Sequence, residues 1–171
     1  GKALTGGVIS LASVVSTDAV YEAFLSDKDE DALMHGPTYM SNPLACAAAN
    51  ASINLFKNQP RLEQVKNIER DLKKGLEVCK DMNIVVDVRI KGALGVIQVK
   101  EMHNLNWLRK RFVEEGVWIR PFLDVIYLMP SFIISNNDLN KLMNAITSII
   151  PEWEHKYKNC LLYTSPSPRD R

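Results

Sequence analysis

A lysine among small residues opens the chain. The first seven residues are GKALTGG, in which Lys2 is followed at once by Ala3 and later by the glycine pair Gly6–Gly7. A partly deprotonated lysine amine can attack an aldehyde, and small neighbours allow the backbone to approach the flat ring of a carbonyl cofactor. A surface lysine before a glycine turn has the same pattern, so the segment alone does not distinguish the two. Lys2 is therefore a candidate Schiff-base residue that needs support from elsewhere in the chain.

A turn-rich loop that leads into an alanine-rich helix is the second candidate segment. Its sequence is HGPTYMSNP over 35–43, followed by LACAAAN. Asn42 is a typical N-cap and Pro43 a typical first helical residue, so we predict that a helix begins here. The alanines would allow that helix to lie close against another backbone. We interpret His35 as a hydrogen-bonded loop residue rather than a proton shuttle.

Arg120 is the third candidate, in the segment GVWIRPF, and IYLMP follows over 126–130. A guanidinium can hold a carboxylate by two parallel hydrogen bonds, whereas the plain alternative is a surface arginine beside a strand. Tyr127 is equally consistent with a pocket wall and with a core residue. The three tryptophans are expected to pack rather than to contact a ligand, and Cys46 and Cys79 are expected to be buried, small apolar groups.

Composition narrows the class of protein. The 171 residues are 46% hydrophobic and 24% charged, with a net charge of +1, which gives no electrostatic reason to expect nucleic acid or an anionic membrane as partner. Three widely spaced cysteines indicate neither a disulfide framework nor a metal site. There is no apolar run long enough for a membrane span and no signal-peptide pattern. We therefore expect a cytoplasmic protein that binds small molecules or other proteins.

Alternating helical and strand patterns must position these residues. The Val8–Val15 run is β-branched without polar alternation, which is typical of a strand buried on both faces. Helices are predicted from Asp18, from Pro43 and over 60–79, 104–115 and 137–150, and strands over 84–90, 93–99, 117–120, 125–128 and 132–134.

The two ends of the chain are unusual. The sequence begins without Met, inside what resembles a motif, so we expect a fragment. Residues 160–171, CLLYTSPSPRDR, have no periodicity and carry Ser-Pro repeats, which predicts a non-native or disordered tail.

Together, the three segments resemble class III pyridoxal-phosphate-dependent aminotransferases. GKALTGG resembles their cofactor-lysine segment, HGPTYMSNPLACAAANAS their phosphate-contact loop and helix, and GVWIRPF with IYLMP their substrate-carboxylate segment. Three motifs in the right order are far more specific than one. The resemblance implies an α/β protein of fold type I, like aspartate aminotransferase. Residues 1–58 would end the large cofactor-binding domain, and 59–155 would form the small carboxyl-terminal α/β domain.

The resemblance also implies roles for the cofactor residues. Lys2 would bind pyridoxal 5'-phosphate as a Schiff base and then act as the base and acid of proton transfer. Pro37 and Thr38 would meet the cofactor phosphate, and Gly36 would lie against substrate, where a side chain would clash. In this family the loop reaches into the neighbouring subunit, so a homodimer is implied.

Substrates follow from the same resemblance. The match is to the branch of the family that transfers an amino group from S-adenosylmethionine to 8-amino-7-oxononanoate in biotin synthesis. Arg120 would bind the carboxylate of the keto acid, and Tyr127 would line the pocket. The alternatives are a class III aminotransferase for ω-amino acids or ornithine, and a non-catalytic domain that retains the fold. Leu123 is a departure, since the family usually places glycine after RPF. The fragment alone is expected to be inactive.

Overall fold

The computed structural model describes residues 2–161, and describes side chains through residue 156. The chain divides into two units, one up to Pro60 and one from Arg61 onward. Each unit is described by itself. The assignment of 1–58 and 59–155 to a large and a small domain stays a prediction.

The first unit consists of short helical pieces and one long helix. A 3₁₀ turn, Ala3–Thr5, is followed by helix α1 (Asp18–Glu22), a second 3₁₀ turn (Asp29–Asp31) and helix α2 (Pro43–Asn58). The start of α2 is as predicted. Pro43 is its first residue, and the side-chain oxygen of Asn42 accepts a hydrogen bond from Leu44 N–H at 3.0 Å.

The strand predicted over 8–15 does not form, so that prediction is wrong. The segment has no strand partner among the described residues, and Val14 and Val15 are 94% and 92% exposed. A strand buried on both faces needs neighbouring strands for its backbone groups and helices for its side chains. Nothing described in the first unit supplies either.

An antiparallel sheet organises the second unit. Its strands, in spatial order, are β1 (Val85–Lys91), β2 (Leu94–Val99) and β3 (Val125–Leu128). The two predicted neighbouring strands are confirmed, joined by a two-residue loop. Ile97 lies between Val88 and Ile126 in the register and marks the face that carries the core. Of the three short strands predicted after 116, only the one over 125–128 forms.

Three helices cover the core face of the sheet. They are α3 (Arg61–Gly75), α4 (Leu105–Glu114) and α5 (Asn136–Leu161), with a 3₁₀ turn, Glu77–Asp81, after α3. Asn104 caps α4 by accepting a hydrogen bond from Trp107 N–H at 3.2 Å, and Gly116 follows the helix with φ of 71°. The most deeply buried large side chains of the core include Leu72, Leu76, Ile97, Leu108, Phe112, Ile126, Leu139, Ile146, Ile149, Ile150 and Trp153.

Helix α5 extends beyond its predicted end at residue 150 and contains Pro151. A proline removes its own N–H from the helical ladder, but packing on the next turn can hold the helix together. Trp153 supplies that packing: it is fully buried, and its Nε1–H donates to the carbonyl oxygen of His103 at 3.0 Å. The tail predicted over 160–171 lies outside the described residues, apart from its first two, which end α5.

The two cysteines that the structure describes differ. Cys79 is buried in the core as predicted, and burial raises the pKa of its thiol to about 11. Cys46 is exposed, so its predicted burial is wrong. The buried face of α2 carries Ala45 and Ala49, and Cys46 lies one position off that face.

Within the described part of the chain, the helices are too short or too polar to cross a membrane.

Candidate active site

Lys2 stands at the start of the first 3₁₀ turn with its side chain exposed. Its amine makes no hydrogen bond or ion pair with the side chains that the structure describes. Thr5, at the end of the turn, is buried, and its hydroxyl donates to the carbonyl oxygen of Ile9. Gly6 and Gly7 follow with φ of 61° and 86°, a conformation that glycine adopts without strain. The positive φ of both residues therefore favours glycine at these two positions of the turn.

The turn after Lys2 packs on helix α2. The hydroxyl of Ser52 donates to the carbonyl oxygen of Ala3 at 3.3 Å. Ser52 shares a helical face with the buried Ala45 and Ala49, whose small side chains allow the close approach that the alanine run predicted. The first two candidate segments of the sequence are thus in contact.

The loop before α2 is an exposed turn. The carbonyl oxygen of Pro37 accepts a hydrogen bond from Met40 N–H at 2.9 Å, which places Thr38 inside the turn. The Thr38 side chain is exposed, and its hydroxyl has no hydrogen-bond partner among the described residues. Apart from its two chain neighbours, none of the described residues has an atom within 4 Å of a Cβ built on Gly36. Contact between Gly36 and substrate stays a prediction.

Arg120 lies in the second unit, on the segment between α4 and β3. It is exposed, while its neighbours Ile119 and Pro121 are buried. Its guanidinium has no partner among the described side chains. A groove of about 430 Å³ is lined by Arg109, Lys110, Val113, Trp118, Ile119 and Arg120. Three cations and an apolar wall make this groove suitable for an anionic group on an aliphatic chain.

Tyr127 lies in β3 opposite Val96 and is half-buried. Its neighbours Ile126 and Leu128 point into the core, so Tyr127 faces the other side of the sheet. It is therefore not a member of the main core. Its role as a pocket wall stays a prediction.

The exposure of Trp118 and the contact between Gln98 and Asp124 were missed by sequence reasoning. Trp118, expected to pack, is 77% exposed and lines the groove. The alternation of Val117 and Ile119 with Trp118 and Arg120 could have placed the tryptophan beside the arginine. Gln98 and Asp124, joined by a hydrogen bond of 2.7 Å, are 26 positions apart, and the local sequence has no signal for that pairing.

The chain is similar to known proteins over most of its length. A protein-family model described as Aminotransferase class-III matches residues 1–150. A Buchnera aphidicola (subsp. Acyrthosiphon pisum) protein named adenosylmethionine-8-amino-7-oxononanoate aminotransferase is 44% identical over 154 residues, which cover 90% of this chain and 36% of the relative. The protein of the same name in subsp. Schizaphis graminum is 46% identical over 146 residues, covering 85% and 34%.

A solved structure is also similar. The crystal structure of adenosylmethionine-8-amino-7-oxononanoate aminotransferase from Methanocaldococcus jannaschii matches with a TM-score of 0.76 and 30% identity, over 87% of this chain and 37% of that chain. The chain spans about a third of the length of the curated relatives that it matches.

Proposed function

The chain belongs to the class III aminotransferase family, and from this premise we propose that the protein transfers an amino group from S-adenosylmethionine to 8-amino-7-oxononanoate, giving 7,8-diaminononanoate for biotin synthesis. The predicted fold class, fold type I, is confirmed by the structural similarity. The family uses pyridoxal 5'-phosphate. Both curated relatives described above carry the name of the biotin enzyme, so the ω-amino acid and ornithine alternatives are not favoured.

One observation carries the proposal: the turn after Lys2 packs on α2, the helix that begins just after the Pro37–Thr38 turn. An exposed amine and an exposed hydroxyl therefore belong to one unit of the chain. These groups fit the cofactor chemically, because a primary amine reacts with its aldehyde and a hydroxyl can bind its phosphate. Lys2 would hold pyridoxal phosphate in its own subunit, and Pro37 and Thr38 would contact the phosphate of the cofactor held in the neighbouring subunit.

When bound, pyridoxal phosphate supplies an electron-withdrawing ring that stabilises negative charge on the carbon next to the transferred nitrogen. Lys2 would supply proton transfer: its Nζ takes a proton from that carbon of the amino donor and later returns one to the acceptor. Because the same Nζ must both accept and donate a proton, it cannot be held in a permanent ion pair. Its lack of a partner among the described side chains is consistent with that role.

Arg120 would orient the acceptor. Its guanidinium can hold the carboxylate of 8-amino-7-oxononanoate by two hydrogen bonds, while Trp118 and Val113 offer apolar surface for the chain of methylene groups. Tyr127 would line the pocket and Gly36 would admit the substrate.

The cellular setting is part of the proposal. We propose a cytoplasmic homodimer in which the Pro37–Thr38 turn serves the site of the neighbouring subunit. Residues 1–58 would belong to the large domain, and 59–155 would form the small domain.

The test replaces Lys2 by Ala in the holoenzyme. We expect amino transfer from S-adenosylmethionine to 8-amino-7-oxononanoate to fall by at least about a hundredfold, since proton transfer and cofactor attachment are both lost. Lys57→Ala is the matched control, because Lys57 is an exposed lysine of the same unit. Product is measured by chromatography, and size-exclusion chromatography checks that dimers persist.

Two results would contradict the proposal. Unchanged turnover in Lys2→Ala would remove the catalytic assignment and favour a non-catalytic domain. Faster turnover of ω-amino acids or ornithine than of this substrate pair, by the unmodified holoenzyme, would keep the family but replace the substrates.

A further inference from the structure

Strand pairing does not hold the segment that carries Arg120. Residues 118–121 form no strand and make no backbone-to-backbone hydrogen bonds with the described residues. The nearest backbone-to-backbone hydrogen bonds lie at its two ends, and within it Ile119 is buried in the core and Arg109 Nη2 donates to the carbonyl oxygen of Pro121 at 3.5 Å. On one side, Val117 N–H donates to the carbonyl oxygen of Phe112 at 3.0 Å; on the other, Phe122 and Val125 exchange two backbone hydrogen bonds of 2.9 Å. The second anchor is a tight turn whose loop residues are Leu123 and Asp124.

That turn is strained in its own backbone. Leu123 has φ of 51°, in the left-handed region that costs a non-glycine residue about 1–2 kcal/mol. A turn with such a residue keeps its shape only when its surroundings determine it. The contacts of Asp124 therefore contribute to the position of the end of the Arg120 segment, together with the hydrogen bond from Arg109 to Pro121.

Two hydrogen bonds join Asp124 to the sheet. Its carbonyl oxygen accepts a hydrogen bond from Val99 N–H at 2.8 Å, and its Oδ2 accepts one from Gln98 Nε2 at 2.7 Å. Gln98 and Val125 face each other in the register, so this contact links the turn to the middle strand. Both side chains are partly buried, which favours a fixed geometry.

Arg89 fixes the direction of the Gln98 amide. Arg89 Nη1 donates to Gln98 Oε1 at 2.6 Å and to Asp87 Oδ2 at 2.7 Å. A guanidinium only donates and a carboxylate only accepts, so the amide oxygen must face Arg89 and the amide nitrogen must face Asp124. The chain of polar groups from β1 to the turn has only one consistent orientation.

We propose that Asp124 and Gln98 are positioning residues for Arg120: they hold the turn after it and thereby aim its guanidinium at the carboxylate of the acceptor. This inference rests on the proposed function, which gives Arg120 its ligand. In this proposal neither residue binds substrate, and their effect passes through the backbone of 121–124.

A double-mutant cycle in the holoenzyme tests this. In Asp124→Ala we expect the KM for 8-amino-7-oxononanoate to rise about five- to tenfold with kcat changed less than about twofold. In an Arg120→Ala background the same change should have no further effect on KM, because the residue being positioned is gone. Asp124→Asn keeps an oxygen that can accept from Gln98 and should restore most of the lost affinity.

Asp138→Ala is the matched control, because it also removes an aspartate whose Oδ2 accepts a side-chain hydrogen bond of 2.7 Å, from Ser135. It should leave KM unchanged. If Asp124→Ala does not fold, Gln98→Met, which keeps Asp124 and removes the amide, replaces it in the cycle.

The outcomes separate the two claims. If Arg120→Ala leaves KM unchanged, the assignment of Arg120 in the proposed function fails. Two other results overturn the positioning role and leave the assignment of Arg120 intact. In the first, Arg120→Ala raises KM but Asp124→Ala does not. In the second, Asp124→Ala raises KM by the same factor in both backgrounds.

Discussion

Leu123 and Gly92 occupy equivalent positions in the two tight turns of the sheet. Each is the first residue of a two-residue loop between antiparallel neighbours, with φ of 51° and 55°. The second loop residue has no positive φ in either turn, which is the pattern of a type II′ turn and favours glycine at the first position. The β1–β2 turn therefore has glycine at the position of positive φ, whereas the turn before β3 has leucine there, which costs conformational free energy.

Replacing Leu123 by Gly should stabilise the protein by roughly 0.5–1 kcal/mol. The gain is the relief of the left-handed backbone, reduced by the greater freedom of glycine in the unfolded chain. The side chain is 71% exposed, so little apolar burial is lost. Urea unfolding measures the change. Gly92→Ala is the opposite control and should destabilise, because its Cβ would also lie 3.1 Å from Val65 Cγ1. A less stable Leu123→Gly variant would mean that the leucine side chain stabilises the turn in another way.

At single residues, the sequence identified candidate side chains, but it did not predict the contacts around them. Lys2, Thr38 and Arg120 were singled out by residue type and by resemblance, and the structure leaves all three exposed with side chains free of described partners. The deviation at Leu123 was visible in the sequence, whereas its positive φ was not. The Asp124–Gln98 contact was not predictable, because it depends on which strand lies beside the turn.

At the scale of elements, predictions were confirmed where a few adjacent residues determine the structure. The Asn42–Pro43 helix start and the Gly92 turn formed as predicted, since each depends on a few adjacent residues. Predictions failed where distant packing decides. Pro151 did not end α5 because Trp153 holds the next turn, and residues 8–15 form no strand because no neighbour pairs with them.

Helix α3 and the β1–β2 turn are joined by one carboxylate. Glu69 accepts hydrogen bonds from Lys73 Nζ at 2.6 Å and from Gly92 N–H at 3.0 Å. The bond from Lys73, and after it the bond from Gly92, lower the pKa of Glu69 from its ordinary value of 4.5. A carboxyl whose pKa is lowered by folding stabilises the folded state above its unfolded pKa, and that contribution is lost as pH falls.

Glu69→Gln should therefore lower the urea midpoint at pH 7. The difference in urea midpoint between this variant and the unmodified protein should shrink as the pH falls below about 4.5. Unfolding curves from pH 7 down to pH 3 measure this. The control is Glu77→Gln. Among the described residues the carboxylate of Glu77 pairs with the side chain of Lys80 and with no backbone N–H, so its removal should have a smaller effect. If the difference in urea midpoint between Glu69→Gln and the unmodified protein stays constant over this pH range, the charge of Glu69 does not join the helix to the turn.

On the scale of the whole molecule, the two units differ in how they are stabilised. The main hydrophobic cluster consists of residues from the second unit, from Ile68 to Trp153. In the first unit, the buried residues among those described are Thr5, Ala45 and Ala49. Large apolar side chains there, such as Val14 and Met34, are mostly exposed. The apolar surface removed from water, and hence the main stabilising free energy, lies in the second unit.

Amide hydrogen exchange of the 171-residue chain should reveal this difference. We expect the slowest exchange in β2 and in the core helices α3 and α5, because their amides open only when the core unfolds. Residues 8–41, which are exposed and have few backbone hydrogen bonds, should exchange fastest. Residues 61–100 serve as the internal reference in the same sample, read by mass spectrometry of peptic peptides. Protection of residues 8–15 equal to that of β2 would contradict the exposed conformation. It would indicate that the strand predicted from the β-branched run forms in solution, because only a paired and covered strand protects its amides to that degree.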